Sequence, residues 1–176
     1  MEVLQPTRIP TAGQRTLRLR VAVQRRNPVS DAPSFFTIGY EKRSIDDVIW
    51  LLKARHVECV VDVRLTPASR RPDFGKKRLG SALEAAGIAY EHRAALGNPP
   101  AIREVYLSGD TEGGHRRFRE HLSNSARSAL DDVAESICSQ TVALLCLERD
   151  AHRCHRSVVA SMIAERLPVE RAVIHL

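Results

Sequence analysis

Several features are scarce in this chain, and each absence narrows what it does. No apolar run approaches the roughly 18–20 residues needed to cross a bilayer. The basic start is not followed by the continuous apolar stretch of a secretory signal. The expectation is a cytoplasmic protein with no membrane partner. Aromatic residues are only 5% of the 176-residue chain. No stripe of alternating basic and aromatic side chains is present on which single-stranded nucleic acid would stack. No G-x-G-x-x-G follows a strand, there is no Walker loop, and no G-x-S-x-G elbow. No cofactor is therefore expected. The four cysteines, Cys59, Cys138, Cys146 and Cys154, form no C-x-x-C pair, which argues against a structural zinc ribbon. No residue is assigned as a metal ligand on spacing alone.

What the chain has is a net charge of +6, unevenly spread. Residues 1–33 hold six arginines against two acids, a surplus of four. The remainder holds 21 basic and 19 acidic residues and is nearly neutral. A broad phosphate-tracking surface is not demanded by such a body. Residues 1–33 read as a basic, flexible N-terminal extension. Within them Leu17, Leu19, Val21 and Val23 alternate with Arg18, Arg20, Ala22 and Gln24, a period-two pattern that a short edge strand would also show.

From residue 34 to 176 the chain alternates strands and helices. Strands are expected at Phe35 to Gly39, Val57 to Val63, Ile88 to His92, Thr141 to Cys146 and Val169 to His175. The run at Val57 to Val63 is nearly all apolar, as in a parallel strand covered on both faces. Ser44 with Asp47 forms a capping box that starts a helix whose buried stripe is Ile45, Val48, Ile49 and Leu52. A helix over Lys76 to Ala86 is stopped by Gly87. A loop with Gly97, Pro99, Pro100 and the Gly113-Gly114 pair follows, with one short helix. His115 to Ile137 is helical, broken near Ser123-Asn124-Ser125. A last helix runs from about Ala151 to Leu167. This order predicts an α/β fold: a single doubly wound, mostly parallel five-stranded sheet with helices on both faces.

In such sheets ligands gather beyond the carboxyl ends of the strands. Three segments rich in polar groups end there: Gly39-Tyr40-Glu41, Asp62-Val63-Arg64 and Cys146-Leu147-Glu148. Asp62 and Arg64 alternate to one side of their strand. They read either as an ion pair fixing the next loop or as part of an anion site with Tyr40, Ser69, Arg70 and Arg156. Cys146, Glu148, Cys154 and His155 are the catalytic candidates. A helix N-terminus with nearby arginines lowers a thiol's pKa, so a reactive thiolate with His155 as acid or base is one reading. A metal held by Cys146, Cys154 and His155 beside Glu148 is a second. A reversible Cys146–Cys154 disulfide is a third, and plain core packing with a capping histidine is a fourth. Cys59 reads as a small core residue.

Thr37-Ile38-Gly39-Tyr40, Val61-Asp62-Val63-Arg64 with Pro67 and Ser69-Arg70, Gly87-Ile88 with Tyr90, Leu96-Gly97, and Leu145-Cys146 with Glu148 before Cys154-His155-Arg156 together resemble the family of domain of unknown function 488. The resemblance covers Phe35 to Leu176 and leaves the first 33 residues outside. It implies a compact α/β domain with shared polar motifs and no established reaction. The chain departs from the pattern at Leu96-Gly97-Asn98, where a second glycine is frequent. The Asp-Val-Arg strand and the strand-end Cys146 are also similar to rhodanese-like sulfurtransferases. Residues 147–153 contain no glycine, however, and include Glu148 and Asp150, which repel a sulfur anion. The functional expectation is an enzyme that binds an anionic small molecule, phosphate- or carboxylate-bearing or nucleotide-like, at the sheet edge and uses Cys/His/Glu chemistry. The alternatives are a non-catalytic nucleic-acid-binding module, using the basic start with Arg70-Arg71 and Lys76-Lys77-Arg78, and a sulfur-handling or metal-binding protein. The sequence is silent on oligomeric state.

Overall fold

A computed structural model describes residues 35–176. The expected extension over residues 1–33, with its alternating stretch, lies outside the described residues. Among those residues five strands pair in the order β3-β2-β4-β1-β5, every pair parallel. They are β1 (Phe35–Gly39), β2 (Cys59–Asp62), β3 (Ala89–His92), β4 (Val142–Cys146) and β5 (Val173–His175). Helices α1 (Ile45–Ala54), α2 (Lys76–Ala85), α3 (Pro100–Leu107), α4 (Thr111–Ser125), α5 (Arg127–Ser139) and α6 (Arg156–Ala164) connect them. The expected doubly wound α/β architecture is what the structure has, with a wholly parallel sheet.

The central strands carry apolar side chains on both faces because both faces are covered. Phe36, Ile38, Val60, Ala143 and Leu145 meet Val48 and Leu52 of α1 and Leu79 and Leu83 of α2. Their neighbours in sequence point the other way. Phe35, Cys59, Val61, Leu144 and Cys146 meet Phe118, Leu122, Leu130, Val159 and Ile163 of α4 to α6. The chain steps from β1 toward β3 with helices on one face, then returns through β4 to β5 with helices on the other. Adjacent β1 and β4 thus send their connections in opposite directions, which opens a crevice at their carboxyl ends. The register sets Gly39 beside Cys146 and Leu145 beside Asp62. The polar segments after β1, β2 and β4 therefore leave the sheet at one level.

Local chemistry explains most element ends. Ser44 Oγ accepts from the Asp47 N–H at 3.0 Å and Asp47 accepts from the Ser44 N–H at 2.9 Å, closing the capping box. The break between α4 and α5 falls at Ala126, as the serine-rich stretch predicts. Ser123 and Ser125 donate to carbonyls four residues back, a competitor to regular helix.

Two expectations are corrected. The loop around Gly113-Gly114 is not a loop. Pro100 starts α3 at a position where its missing N–H is harmless. Asp110 then caps α4 by accepting from the Gly113 N–H at 2.8 Å, so both glycines lie inside the helix. The last helix is shorter than expected, beginning at Arg156 and not at Ala151. Residues 151–155 form turns instead, with Cys154 N–H bonding Ala151 O and Ser157 N–H bonding Cys154 O. No described helix is long and apolar enough to cross a membrane.

Candidate functional site

A cavity of about 480 Å³ opens at the carboxyl edge of β1, β2 and β4. Of the residues expected there, Tyr40, Arg64, Cys146, Glu148, Cys154 and His155 line it. Asp62, Ser69, Arg70 and Arg156 do not.

Asp62 and Arg64 realise the ion-pair reading. Asp62 is fully buried and Arg64 nearly so. Arg64 Nε and Nη2 donate to the two Asp62 oxygens at 2.8 and 2.5 Å, a fork-on-fork pair. Arg64 Nη1 donates to Tyr40 Oη at 3.0 Å and to Phe74 O at 2.9 Å. Tyr90 Oη donates to the second Asp62 oxygen at 2.7 Å. Tyr40 stacks on Phe74 with ring centroids 4.2 Å apart. Nearly every polar atom here is spent on another protein atom, so the group braces the β2 loop. Ser69 accepts from the Arg71 N–H within that loop, and Arg70 is exposed away from the cavity.

Arg156 was expected to hold an anion. The structure buries it completely. Its guanidinium donates to Glu148 O, to Arg149 O at 3.0 Å and to Thr37 Oγ1 at 3.2 Å. The guanidinium is turned to two carbonyls and a hydroxyl inside the protein and is absent from the cavity wall. It pins the loop that carries Glu148. The same loop presses on β1: a Cβ at Gly39 would sit 1.9 Å from Glu148 O, so this strand end accepts only glycine. Gly97 has a parallel role, since a Cβ there would lie 2.2 Å from Leu65 Cα. That packing places Asn98 in the cavity wall.

The remaining four polar groups converge. One ligand-capable atom each from Cys146, Glu148, Cys154 and His155 lies within 4.8 Å of all the others. Glu148 Oε2 accepts from the Cys154 thiol at 3.0 Å and from the Cys146 thiol at 3.3 Å. His155 Nε2 is 3.1 Å from Val63 O. A carbonyl only accepts, so this nitrogen carries the proton. Nδ1 lies 3.8 Å from the Cys146 sulfur and 4.0 Å from that of Cys154, with Nε2 itself 4.0 Å from the Cys146 sulfur. The ring is also held edge-on by Phe118.

The electrostatics do not favour a free thiolate at Cys154. Burial pushes the Cys154 thiol well above its ordinary pKa, and the neighbouring Cys146 adds to this, while His155 opposes it. The expected activation at a helix N-terminus fails because Cys154 precedes α6 and is buried. Burial pushes Glu148 up, but hydrogen bonds from Cys154, its own backbone and Cys146, with the charge of His155, hold it below the ordinary carboxyl value. Burial lowers His155, and Cys154, Val63 O and Glu148 outweigh it, so its pKa is raised. Cys59, as expected, is a core residue; burial pushes its thiol up to about 11.

The family model for the domain of unknown function DUF488 matches residues 44–163. The chain belongs to this family. No curated protein and no solved structure matches it. The DUF488 match runs from the cap of α1 into α6, so it takes in Arg64, Asn98 and the whole Cys/Glu/His group.

Sequence reasoning missed several cavity residues. Asn98, Arg103, Tyr106 and Arg153 all line the wall. Asn98 Oδ1 and Tyr106 Oη are buried without a hydrogen-bond partner among the described residues. Burial also raises the Tyr106 pKa. A signal for Asn98 did exist, in its departure from the family pattern beside Gly97. Nothing in the sequence marked Arg103 or Tyr106, because they reach the site only through tertiary packing; Arg153, beside Cys154, was expected only as one of the arginines that favour a thiolate.

Proposed function

We propose that this DUF488 domain is an enzyme acting on a small anionic, nucleotide-like molecule held in the cavity at the sheet edge. The observation that carries this reading is the contrast within the wall. Buried polar atoms are normally paired, yet Asn98 Oδ1 and Tyr106 Oη are not. They stand in the same cavity as the Cys146/Glu148/Cys154/His155 group. Unpaired buried groups beside ionisable ones are what a site awaiting a polar guest presents.

The cations available to an anion are Arg103 and Arg153, both exposed at the cavity. Arg103 reaches Asn98 O at 3.3 Å, and Arg153 makes no hydrogen bond or ion pair among the described residues. Glu41 and Asp150 share the wall. A purely anionic guest would meet repulsion from them. A molecule with a phosphate or carboxylate at one end and hydroxyl or amino donors at the other suits both charges. Leu107 and Leu147, exposed at the same cavity, offer it an apolar border.

The test is calorimetric titration of the protein with inorganic pyrophosphate and with nucleoside mono- and diphosphates, at two salt concentrations. Binding is expected for at least one probe, weakening with salt. An Arg103→Ala/Arg153→Ala double variant should lose affinity by tenfold or more, about 1.4 kcal/mol. No binding by any probe, or unchanged affinity in the double variant, would contradict the reading.

A further inference from the structure

The Cys146/Glu148/Cys154/His155 group raises a question that small-molecule binding in the cavity wall does not answer. As hydrogen-bonding partners these residues suit one another poorly. Two thiols, both weak donors, converge on a single carboxylate oxygen. The His155 Nδ1 lone pair has only sulfur near it, at 3.8–4.0 Å. Cys146 and Cys154 are nearly fully buried, at 2% and 1% exposure. A set of two buried sulfurs, one buried imidazole nitrogen and one half-buried carboxylate oxygen is mismatched as a core network and well matched as a ligand set.

We propose that Cys146, Glu148, Cys154 and His155 bind a thiophilic divalent cation in tetrahedral geometry, zinc being the ion whose preferences they meet. A tetrahedral zinc ion with bonds of about 2.3 Å to sulfur and about 2.0–2.2 Å to nitrogen and oxygen holds its ligand atoms roughly 3.3–3.8 Å apart. The measured separations are 3.0, 3.3, 3.8 and 4.0 Å, and no pair exceeds 4.8 Å. Shifts of an ångström or less close the polyhedron. The surroundings are those of a metal site as well. A metal-bound histidine commonly donates its other N–H to a backbone carbonyl, fixing the tautomer. His155 does so to Val63 O. The loop that carries the carboxylate is held from behind, since Arg156 donates to the backbone carbonyls of Glu148 and Arg149. The cavity gives an ion a way in, because all four residues line it.

The assignment is independent of the anion reading, which rests on Arg103, Asn98, Tyr106 and Arg153. A zinc ion displaces both thiol protons to solvent as two zinc–sulfur bonds form. No oxidation or reduction is involved. The sulfurs are then ligands, and with four protein ligands the site is closed, as in structural zinc centres.

The test uses the full chain, reduced and freed of metal with a chelator, and zinc alone as the probe. Competition against a chromophoric zinc indicator should give one tight site per chain. Cys154→Ser and Cys146→Ser should each weaken it beyond the roughly 10–100-fold that losing a ligand's hydrogen-bond partner costs. Glu148→Gln should weaken it by a smaller factor. Circular dichroism checks that each variant is folded. Should either serine variant not fold, cobalt substitution of the unaltered chain decides alone. Intense visible bands of tetrahedral cobalt with thiolate charge transfer in the near ultraviolet are expected. Absent zinc binding, affinity unchanged in folded variants, the pale spectrum of six-coordinate cobalt, or a Cys146–Cys154 disulfide under reducing buffer would each overturn the assignment. Zinc binding that survives Arg103→Ala/Arg153→Ala, with pyrophosphate binding lost, separates this site from the anion reading.

Discussion

Two polar clusters sit side by side at the carboxyl edge of one sheet, and they are built on opposite principles. The Asp62–Arg64 cluster is closed. Both carboxylate oxygens, both aromatic hydroxyls and four of the five guanidinium donors have protein partners at 2.5–3.0 Å. The Cys146/Glu148/Cys154/His155 cluster is equally buried at its sulfurs, yet its contacts are long and share a single strong acceptor. A buried ionic group whose polar atoms are nearly all paired acts as a strut. A buried group that is near-paired and opens on a cavity retains capacity for something from outside. Charge and burial alone do not separate the two; satisfaction of each atom does.

The largest expected effect tests that contrast through stability. Asp62→Ala leaves the Arg64 guanidinium buried without its counter-charge and should cost about 3–5 kcal/mol. Cys154→Ser, in the metal-free protein, keeps a hydroxyl donor for Glu148 and should cost about 1 kcal/mol. Urea unfolding of both variants measures this, and similar losses would make the second cluster a strut too. The lower end of the scale is the exposed capping box of α1. Ser44→Ala should cost about 1 kcal/mol. Hydrogen bonds from the Ser44 side chain and backbone hold the Asp47 pKa below its ordinary value. A carboxyl lowered by folding stabilises the protein above its unfolded pKa and loses that contribution as pH falls through the lower folded one. Thermal melts followed into acid should therefore show a small loss there that Asp47→Asn no longer shows.

How much of this was legible in the sequence follows the range of the interactions. The Ser44/Asp47 box, the β4 run Val142–Cys146 and the alternation of strand and helix are local and periodic, and they read correctly. The approach of Cys146, Glu148, Cys154 and His155 was also visible, because all four lie within ten residues after one strand. The roles of the arginines were not. Arg64, at a strand end, and Arg156, at a helix start, look the same on the page whether they face a ligand or a carbonyl. Only the turn at residues 151–155, unforeseen because no glycine or proline marks it, directs Arg156 inward. Asn98, Arg103 and Tyr106 were hidden for a different reason. They join the site across some 40 residues of chain, through the packing of Gly97 on Leu65.

The most direct measurement is X-ray absorption at the zinc edge on the reconstituted full-length chain. The account predicts two sulfur neighbours at about 2.3 Å and two nitrogen or oxygen neighbours at about 2.0–2.2 Å. A zinc shell of oxygen alone, or a chain that retains no zinc after dialysis, would contradict it.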